Sequence, residues 1–317
     1  MGVMSALLLQ LGQVGLVLLV APAVSGMIRK MKARLQRRIG PPVLQPYRDL
    51  RRLIGKDVVL ADNTSWFFRM APYLIFAATW VAAALVPTFQ TGLMFSWSGD
   101  MIAIVALLGV SRFLQAAAAI DTGTSFGGIG ASREVMIASL AEPAMIMVTF
   151  TVALVAGSSQ LSTIAEFMLH SVGLRVSLGM ALVALVIVAL AENARIPVDN
   201  PATHLELTMV HEAMVLEYSG RHLAMIELAG SLRLLLYISL IACIFFPVGL
   251  VVSGAGFLAY AAALGAYGMK LVIASVFLAT FEMSIAKMRV FRVPSLLGIA
   301  LMLGLLGTLL LFISEGM

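Results

Sequence analysis

Residues 191–222, AENARIPVDNPATHLELTMVHEAMVLEYSGRH, concentrate side chains that carry protons or bind metal ions. Three of the chain's four histidines lie here, at His204, His211 and His222. The segment also contains five carboxylates, which are Glu192, Asp199, Glu206, Glu212 and Glu217. Histidine and carboxylate side chains are the usual general acids and bases of proteins. Long apolar runs flank the segment on both sides, so its polar groups need an explanation.

A zinc site does not account for this segment. His211-Glu212 begins like the metalloprotease motif H-E-x-x-H, but Val215 stands where the second histidine is required. Histidines at a solvated surface or an interface are commoner than histidine ligands, so we predict no metal site in this chain. A solvated loop face explains the acids as well as a functional role does.

Charged side chains also occur inside the apolar runs, at Glu142, Glu227, Arg233 and Lys270, and at the end of the seventh run, at Glu282. A charge at the centre of a bilayer costs about 2.5–3.5 kcal/mol, and such residues usually face a helix-bundle interior or a water-filled path. Two interpretations are open. The acids and Lys270 form a proton relay, or they are structural pairs of Glu227 or Glu282 with Lys270 or Arg233.

The composition is that of an integral membrane protein, because 61% of residues are hydrophobic and only 12% are charged. A bilayer core requires about 20 apolar residues per helix. We therefore predict an all-α protein, one polytopic membrane domain over residues 1–317. No basic residue precedes the first run and a basic cluster follows it, which indicates a retained helix and not a signal peptide. The eight predicted spans are 5–27, 67–87, 101–120, 133–156, 174–192, 222–247, 257–281 and 294–314.

The basic residues predict the orientation of these spans. The first loop, 27–65, carries ten Lys and Arg, the fifth loop, 192–221, carries two, and the seventh loop, 282–293, carries three. The loops near 88–100, 157–173 and 248–256 carry none. By the positive-inside rule the odd-numbered loops are cytoplasmic and both termini lie outside. The predicted location is the bacterial or archaeal cytoplasmic membrane.

Three loops have local signals. After Pro46 the first loop has an apolar helical stripe, which predicts an amphipathic helix on the membrane surface or on a partner. A simple anchor to anionic lipid is an open alternative.

The glycine-rich third loop, DTGTSFGGIGASRE, predicts a compact turn, with Ser132 capping the fourth span. In the fifth loop, prolines 197 and 201 break the chain, and a capping box at Thr203 predicts a helix over 204–217, which would place Glu206 and Glu217 on one face.

The only cysteine is Cys243, within an apolar run. One cysteine excludes an internal disulfide and a cysteine-ligated iron–sulfur cluster within this chain. If the protein takes part in redox chemistry, partner subunits must carry the metal centres.

Two motifs resemble the membrane-anchor subunit of respiratory complex I, which lines the quinone chamber. One is Gln36-x-Arg38-x-Gly40-Pro41, followed by Gln45-Pro46; the other is Glu192-x-x-Arg195-x-Pro197-x-Asp199, followed by Glu206 and Glu217-Tyr218-Ser219-Gly220. The sequence departs from that pattern at Pro42, at residues 201–206 and at Gly230, where the family has its sixth-span glutamate. These departures are similar to component C of group 4 membrane-bound [NiFe] hydrogenases of the formate hydrogenlyase type.

The resemblance implies a non-catalytic coupling subunit. It would anchor a cytoplasmic arm with the [NiFe] centre and iron–sulfur clusters, in the hydrogenase large and small subunits and an Fe–S protein. It would join the arm to antiporter-like membrane subunits that translocate H⁺ or Na⁺. The implied proton-path residues are Glu142, Glu192, Asp199, Glu206, Glu212, Glu217, Glu227, Lys270 and Glu282. The implied docking residues are Gln36, Arg38, Gly40, Pro41, Gln45, Pro46, Arg195, Pro197 and Tyr218.

Three alternatives to this function are open. A complex I subunit would hold a quinone between the first, fifth and sixth spans. A stand-alone transporter would show internal repeats, of which the sequence has no convincing example. A passive scaffold would use its acids only in structural pairs.

Overall fold

The computed structural model describes residues 3–61, 63–92, 95–170, 175–195, 209–251, 256–285 and 292–315. Apart from two isolated β-bridges and one 3-10 turn, its regular structure is α-helical. The helices are α1 (Val3–Leu35), α2 (Gln45–Ile54), α3 (Trp66–Leu85), α4 (Met101–Asp121), α5 (Ser125–Ala156), α6 (Leu161–His170), α7 (Val176–Glu192), α8 (His211–Val215), α9 (Gly220–Phe245), α10 (Phe257–Ser284) and α11 (Val293–Glu315).

Seven of these helices are long and apolar enough to cross a membrane: α1, α3, α4, α5, α9, α10 and α11. Each of them coincides with a predicted apolar span. The remaining predicted span corresponds to α7, an apolar helix of 17 residues. At 1.5 Å per residue it is about 25 Å long, slightly shorter than a hydrocarbon core of about 30 Å. The protein is therefore a multi-pass helical membrane protein.

The glycine-rich third loop is not the compact turn that the sequence predicted. Only 122–124 form a turn, and α5 begins at Ser125, so Ser132 lies inside the helix and does not cap it. Thr124 is the cap, and its hydroxyl oxygen accepts a hydrogen bond from the Gly127 amide at 3.2 Å. Tertiary packing overrides glycine's weak helix propensity here, because a Cβ on Gly127 would lie 2.4 Å from the Ala119 carbonyl oxygen.

The amphipathic helix of the first loop is confirmed as α2. Pro46 lies in its first turn, where a missing amide costs nothing, and is buried. The helix packs against α1 and α9, and its basic side chains Arg48, Arg51 and Arg52 are exposed. The fourth loop contains a helix that the sequence analysis did not predict, α6.

The continuous helix predicted over 204–217 is wrong in the part that the structure describes. Met209 and Val210 are not helical, and α8 comprises only five residues from His211. The guanidinium of Arg133 donates a hydrogen bond to the Met209 carbonyl oxygen at 2.7 Å, and in a continuous helix that oxygen would accept from Ala213. Glu217 lies beyond the end of α8, so the helix face predicted for Glu206 and Glu217 is not continuous, and Glu206 and the Thr203 cap lie outside the described residues.

Candidate functional site

A buried network of charged side chains lies where α4, α5 and α7 meet. Arg112 of α4 has its Nε 3.3 Å from Oε1 of Glu134 on α5, and its Nη2 contacts the carboxylate of Glu192, the last residue of α7. The side chains of Arg112, Glu134 and Glu192 are 5%, 10% and 6% exposed. Two carboxylates thus face one guanidinium away from solvent.

A second guanidinium extends this network into α9. Arg233 is buried, and its Nη2 donates to Ser111 Oγ and to Gln115 Oε1, both at 3.4 Å. The amide nitrogen of Gln115 lies 3.3 Å from Nδ1 of His211 at the start of α8. Side chains therefore connect the interior of the helix bundle with the fifth loop. We call the six ionisable or amide residues the charged core cluster: Arg112, Gln115, Glu134, Glu192, His211 and Arg233.

Glu142 extends the cluster deeper along α5. It follows Glu134 by eight residues, which corresponds to about 12 Å along the helix axis. Its carboxylate packs against Gly109 of α4, where an added Cβ would lie 3.5 Å from Oε1. Glu142 also interacts electrostatically with Arg112 and with the buried Tyr237 of α9. The predicted fourth-span acid therefore lies beside the charged core cluster.

The electrostatics keep His211 neutral. Burial, together with the positive charges of Arg233 and Arg112, lowers the pKa of His211 from its ordinary value of 6.5 to about 4, and the negative charge of Glu134 opposes this shift. A neutral ring nitrogen can accept the hydrogen bond that the Gln115 amide offers, since the Gln115 oxygen already accepts from Arg233. Groups in hydrogen-bond contact of this kind polarise one another, so a change of charge at one of them alters the field at the next.

A second ionic site joins the ends of three helices. The Glu282 carboxylate of α10 contacts Lys32 of α1, and its Oε1 accepts a hydrogen bond from Nη1 of Arg195, just after α7, at 3.3 Å. Burial lowers the pKa of Arg195, and the negative charge of Glu282 opposes that shift. Glu282 therefore fixes the beginning of the fifth loop.

The structural pairs suggested by the sequence do not form. Glu282 pairs with Lys32 and Arg195, and Arg233 bonds to neutral side chains. Neither Glu227 nor Lys270 makes an ion pair with a described residue; Glu227 is exposed on α9 and Lys270 is half-buried on α10. Glu282 does not pair with Lys270 or Arg233 because Lys32 and Arg195, at the ends of α1 and α7, already contact its carboxylate.

The remaining predicted acids are spread along the fifth loop. Glu212 is exposed and Glu217 is half-buried. Asp199, Glu206 and Pro197 lie outside the described residues. Within the described parts of the chain, no three His, Cys, Asp or Glu side chains are arranged to hold a metal ion.

The motif residues of the first loop are mostly exposed. Gln36, Arg38 and Pro41 are exposed, and the Gln36 amide contacts the sulfur of Met283 at 3.4 Å. Gly40 has φ +70°, and an added Cβ would lie 2.5 Å from Ala33 Cβ, so the turn requires glycine. Gln45 is half-buried and bonds to Asp49 at 3.0 Å.

The Glu217-Tyr218-Ser219-Gly220 motif holds the first loop against α9. The Tyr218 ring stacks on Phe68 with centroids 4.1 Å apart, and burial raises the pKa of its hydroxyl. Ser219 exchanges hydrogen bonds with the Val59 backbone at 2.8 and 2.9 Å. Gly220 has φ +53°, and a Cβ there would meet the Asp57 carbonyl oxygen at 2.7 Å. The two predicted signature loops are therefore in direct contact.

The sequence analysis did not select Ser111, Arg112, Gln115 or Glu134 as candidate functional residues. A signal was present, because S-R-F-L-Q interrupts an apolar run of α4 and places Ser111 and Gln115 one turn apart. An arginine in the middle of a span is a candidate functional residue by default.

Comparison with known proteins agrees with the motifs. Residues 9–313 match the family described as NADH dehydrogenase. Formate hydrogenlyase subunit 4 of Escherichia coli (strain K12) is 33% identical over 87% of this chain and 89% of that protein. Hydrogenase-4 component C of the same strain is 32% identical, with 75% of each protein covered.

The fold also has a solved counterpart. A chain in the structure of the membrane-bound sulfane sulfur reductase, an archaeal respiratory membrane complex, superposes with a TM-score of 0.81 at 21% identity, covering 96% of this chain and 99% of that one. The family match and these relatives confirm the resemblance carried by the first and fifth loops. The chain belongs to the NADH dehydrogenase family of membrane subunits, together with formate hydrogenlyase subunit 4 and hydrogenase-4 component C.

Proposed function

We propose that this chain is the membrane-anchoring and coupling subunit of an energy-converting hydrogenase complex. It holds a cytoplasmic arm that carries the [NiFe] centre and iron–sulfur clusters in other subunits. It transmits the redox reaction of that arm to antiporter-like subunits that translocate H⁺ or Na⁺. Its similarity to formate hydrogenlyase subunit 4 over most of both proteins supports this assignment.

The observation that carries the proposal is the charged core cluster. It begins at His211 and Glu192, which border the fifth loop, and continues through Arg112, Gln115 and Arg233 to the neighbourhood of Glu142. A movement of the fifth loop would separate Glu192 from Arg112. The guanidinium of Arg112 would then be paired with Glu134 alone, and the protonation of the carboxylates that remain beside it would change.

In this proposal α7 is the fifth of eight spans, both termini lie outside, and the basic loops face the cytoplasm. The arm docks on the exposed motif residues of the first loop, Gln36, Arg38 and Pro41, and on the fifth loop beside them. Asp199 and Glu206 of the fifth loop belong to the proton path as well.

The decisive experiment separates hydrogen turnover from ion movement. We expect Glu142→Gln and Glu206→Gln to leave hydrogenase turnover of the detergent-solubilised complex unchanged and to abolish ion translocation in vesicles. Glu166→Gln in α6 is the matched control, since Glu166 is half-buried and belongs to neither ionic site. Full translocation by the Glu142 and Glu206 variants would refute the proposed path.

Copurification distinguishes a hydrogenase from a quinone reductase. We expect this chain to copurify with a large subunit that has two C-x-x-C pairs, the ligands of a nickel site. A large subunit without those pairs would favour the complex I type of function, and purification of the chain alone would favour a stand-alone transporter.

A further inference from the structure

An apolar cleft opens between α7, α9 and α10. Its volume is about 480 Å³, and its walls include Leu182 and Val186 of α7 and Leu234 and Ile238 of α9. The outer rim is open, because Phe246, Ile273 and Phe277 are 55%, 61% and 63% exposed. Of the seven long helices α10 is the least buried, and it packs chiefly along α1. The cleft is thus a lateral opening in the bundle.

Lys270 lines this cleft and has no counterion among the described residues. It is the fourteenth of the 28 residues of α10, so it lies about 20 Å from either end of the helix. Within the described residues no carboxylate oxygen lies within 4.0 Å of its ammonium group, and Glu282 is engaged by Lys32 and Arg195. The other polar groups lining the cleft are Tyr237 and, at its loop end, Asn193 and Arg195.

The position of Lys270 determines which occupant fits. An unpaired charge at the bilayer centre costs about 2.5–3.5 kcal/mol, which a carboxylate at the same depth would offset. Phospholipid headgroups lie about 15 Å from the midplane of a core of about 30 Å, so a lipid phosphate does not reach this depth. An acyl chain would fill the cleft but leave the ammonium unpaired.

We propose that a transmembrane helix of a neighbouring membrane subunit packs over this cleft, and that a carboxylate in the middle of that helix enters the cleft and pairs with Lys270. The apolar walls supply packing, and the charge fixes the depth and orientation of the incoming helix. Tyr237 lines the cleft and interacts electrostatically with Arg112 and Arg233, so the new ion pair would form next to the charged core cluster. This inference rests on the proposed function to the extent that the chain works within a complex of membrane subunits.

The test is a carbodiimide cross-link in native membranes containing the whole complex. Dicyclohexylcarbodiimide enters the bilayer and activates a carboxylate; the Lys270 amine then attacks the carbonyl, an amide forms, and the carboxyl oxygen leaves in the urea. We expect mass spectrometry to find residue 270 joined to an acidic peptide of another membrane subunit. Lys270→Arg keeps the charge and should abolish the cross-link while the subunit composition stays complete.

Assembly gives a second measurement. We expect Lys270→Met to lower several-fold the amount of that partner subunit which copurifies with this chain in detergent. Lys56→Met, at an exposed loop lysine, should leave this amount unchanged. A cross-link within this chain, to Asp199 or Glu206, would overturn the inference. The inference would also be overturned if the Lys270→Met complex were complete and stable. It would be overturned as well if that variant lost a bound phospholipid but no subunit.

The two proposals fail separately. If ion translocation depends on Glu142 but no intersubunit cross-link forms at Lys270, only the interface is wrong. If no arm subunit copurifies, the proposed function is wrong whatever the cross-link shows.

Discussion

The guanidinium of Arg112 contacts the carboxylate of Glu192 and so joins the middle of α4 to the last residue of α7. Glu134 of α5 approaches the same guanidinium at 3.3 Å, which makes Arg112 the common partner of two helices. Because α7 is short for a membrane span, its loop end depends on this buried contact and on the Arg195–Glu282 pair. The same contact connects the fifth loop to the interior of the bundle.

Removal of Arg112 should strongly destabilise the protein. In Arg112→Met the carboxylates of Glu134 and Glu192 lose their buried partner, and breaking a buried pair typically costs about 3–5 kcal/mol. We expect a clear fall in the midpoint of thermal unfolding of the detergent-purified protein. The matched control is Arg52→Met, whose exposed pair with Asp49 is 3.9 Å long and should contribute about 0–1 kcal/mol.

Neutralising the acids tests the cause of that loss. The triple variant Arg112→Met, Glu134→Gln and Glu192→Gln should regain much of the stability that Arg112→Met loses, because no buried charge is then left without a partner. If Arg112→Met and Arg52→Met have the same midpoint of thermal unfolding, the ion pairs of Arg112 do not stabilise the fold.

The glycines at the start of α5 should respond in opposite ways to alanine. In Gly127→Ala the new Cβ would lie 2.4 Å from the Ala119 carbonyl oxygen, so α4 and α5 must separate, at a cost of about 1–3 kcal/mol. Gly128 has no atom within 4 Å of an added Cβ, so Gly128→Ala should stabilise the helix by about 0.5–1 kcal/mol. Thermal unfolding of both variants measures the difference, and equal effects would contradict the close packing of α4 on α5.

Apolar length predicted the spans well, because the bilayer imposes it on each segment separately. Trp66–Leu85 and Met101–Asp121 lie within one or two residues of the predicted 67–87 and 101–120. The start of α5 and the break before α8 depend instead on contacts between distant residues, Gly127 with Ala119 and Arg133 with Met209. No local pattern contains those contacts.

The candidate site was predictable to a smaller degree. The family motifs and the acid in the fourth span identified Glu142 and Glu192, but the partner that joins Glu192 to the bundle is Arg112, 80 residues earlier in the chain. Pairing of Glu282 with Lys270 or Arg233 was one of the two interpretations that the sequence left open. In the structure Glu282 forms ion pairs with Lys32 and Arg195, because the partners of a charged side chain depend on which helix ends lie close together.

Loss of the Glu282 charge should loosen the end of α7. In Glu282→Gln, Arg195 keeps its buried charge without a carboxylate, and a hydrogen bond to a charged group contributes about 1.5–3 kcal/mol. We expect the amides of Asn193 and Arg195, which bond to Ala189 and Leu190, to exchange with deuterium at least about tenfold faster. Lys30→Gln, at a half-buried residue of α1 outside both ionic sites, is the control. Unchanged exchange at these amides would show that Glu282 does not fix the loop.

The stability of the protein should fall in acid through His211. Its pKa in the folded protein is about 4, below the ordinary 6.5, so between these values the unfolded chain binds more protons than the folded one. The neutral histidine therefore contributes its full stability above pH 6.5 and loses it as the pH falls towards 4. The slope reaches at most about 1.4 kcal/mol per pH unit within this window.

A variant without a titratable ring isolates that contribution. His211→Asn keeps an acceptor for the Gln115 amide and removes the ring, so its free energy of unfolding should depend less on pH than that of the wild type between pH 6.5 and 4. The measurement is the unfolding midpoint of both proteins across this range. His170→Asn is the control, since His170 ends α6 and is exposed, and its curve should run parallel to the wild type. Parallel curves for the wild type and His211→Asn would mean that His211 is not held neutral by its burial and by the charges of Arg233 and Arg112.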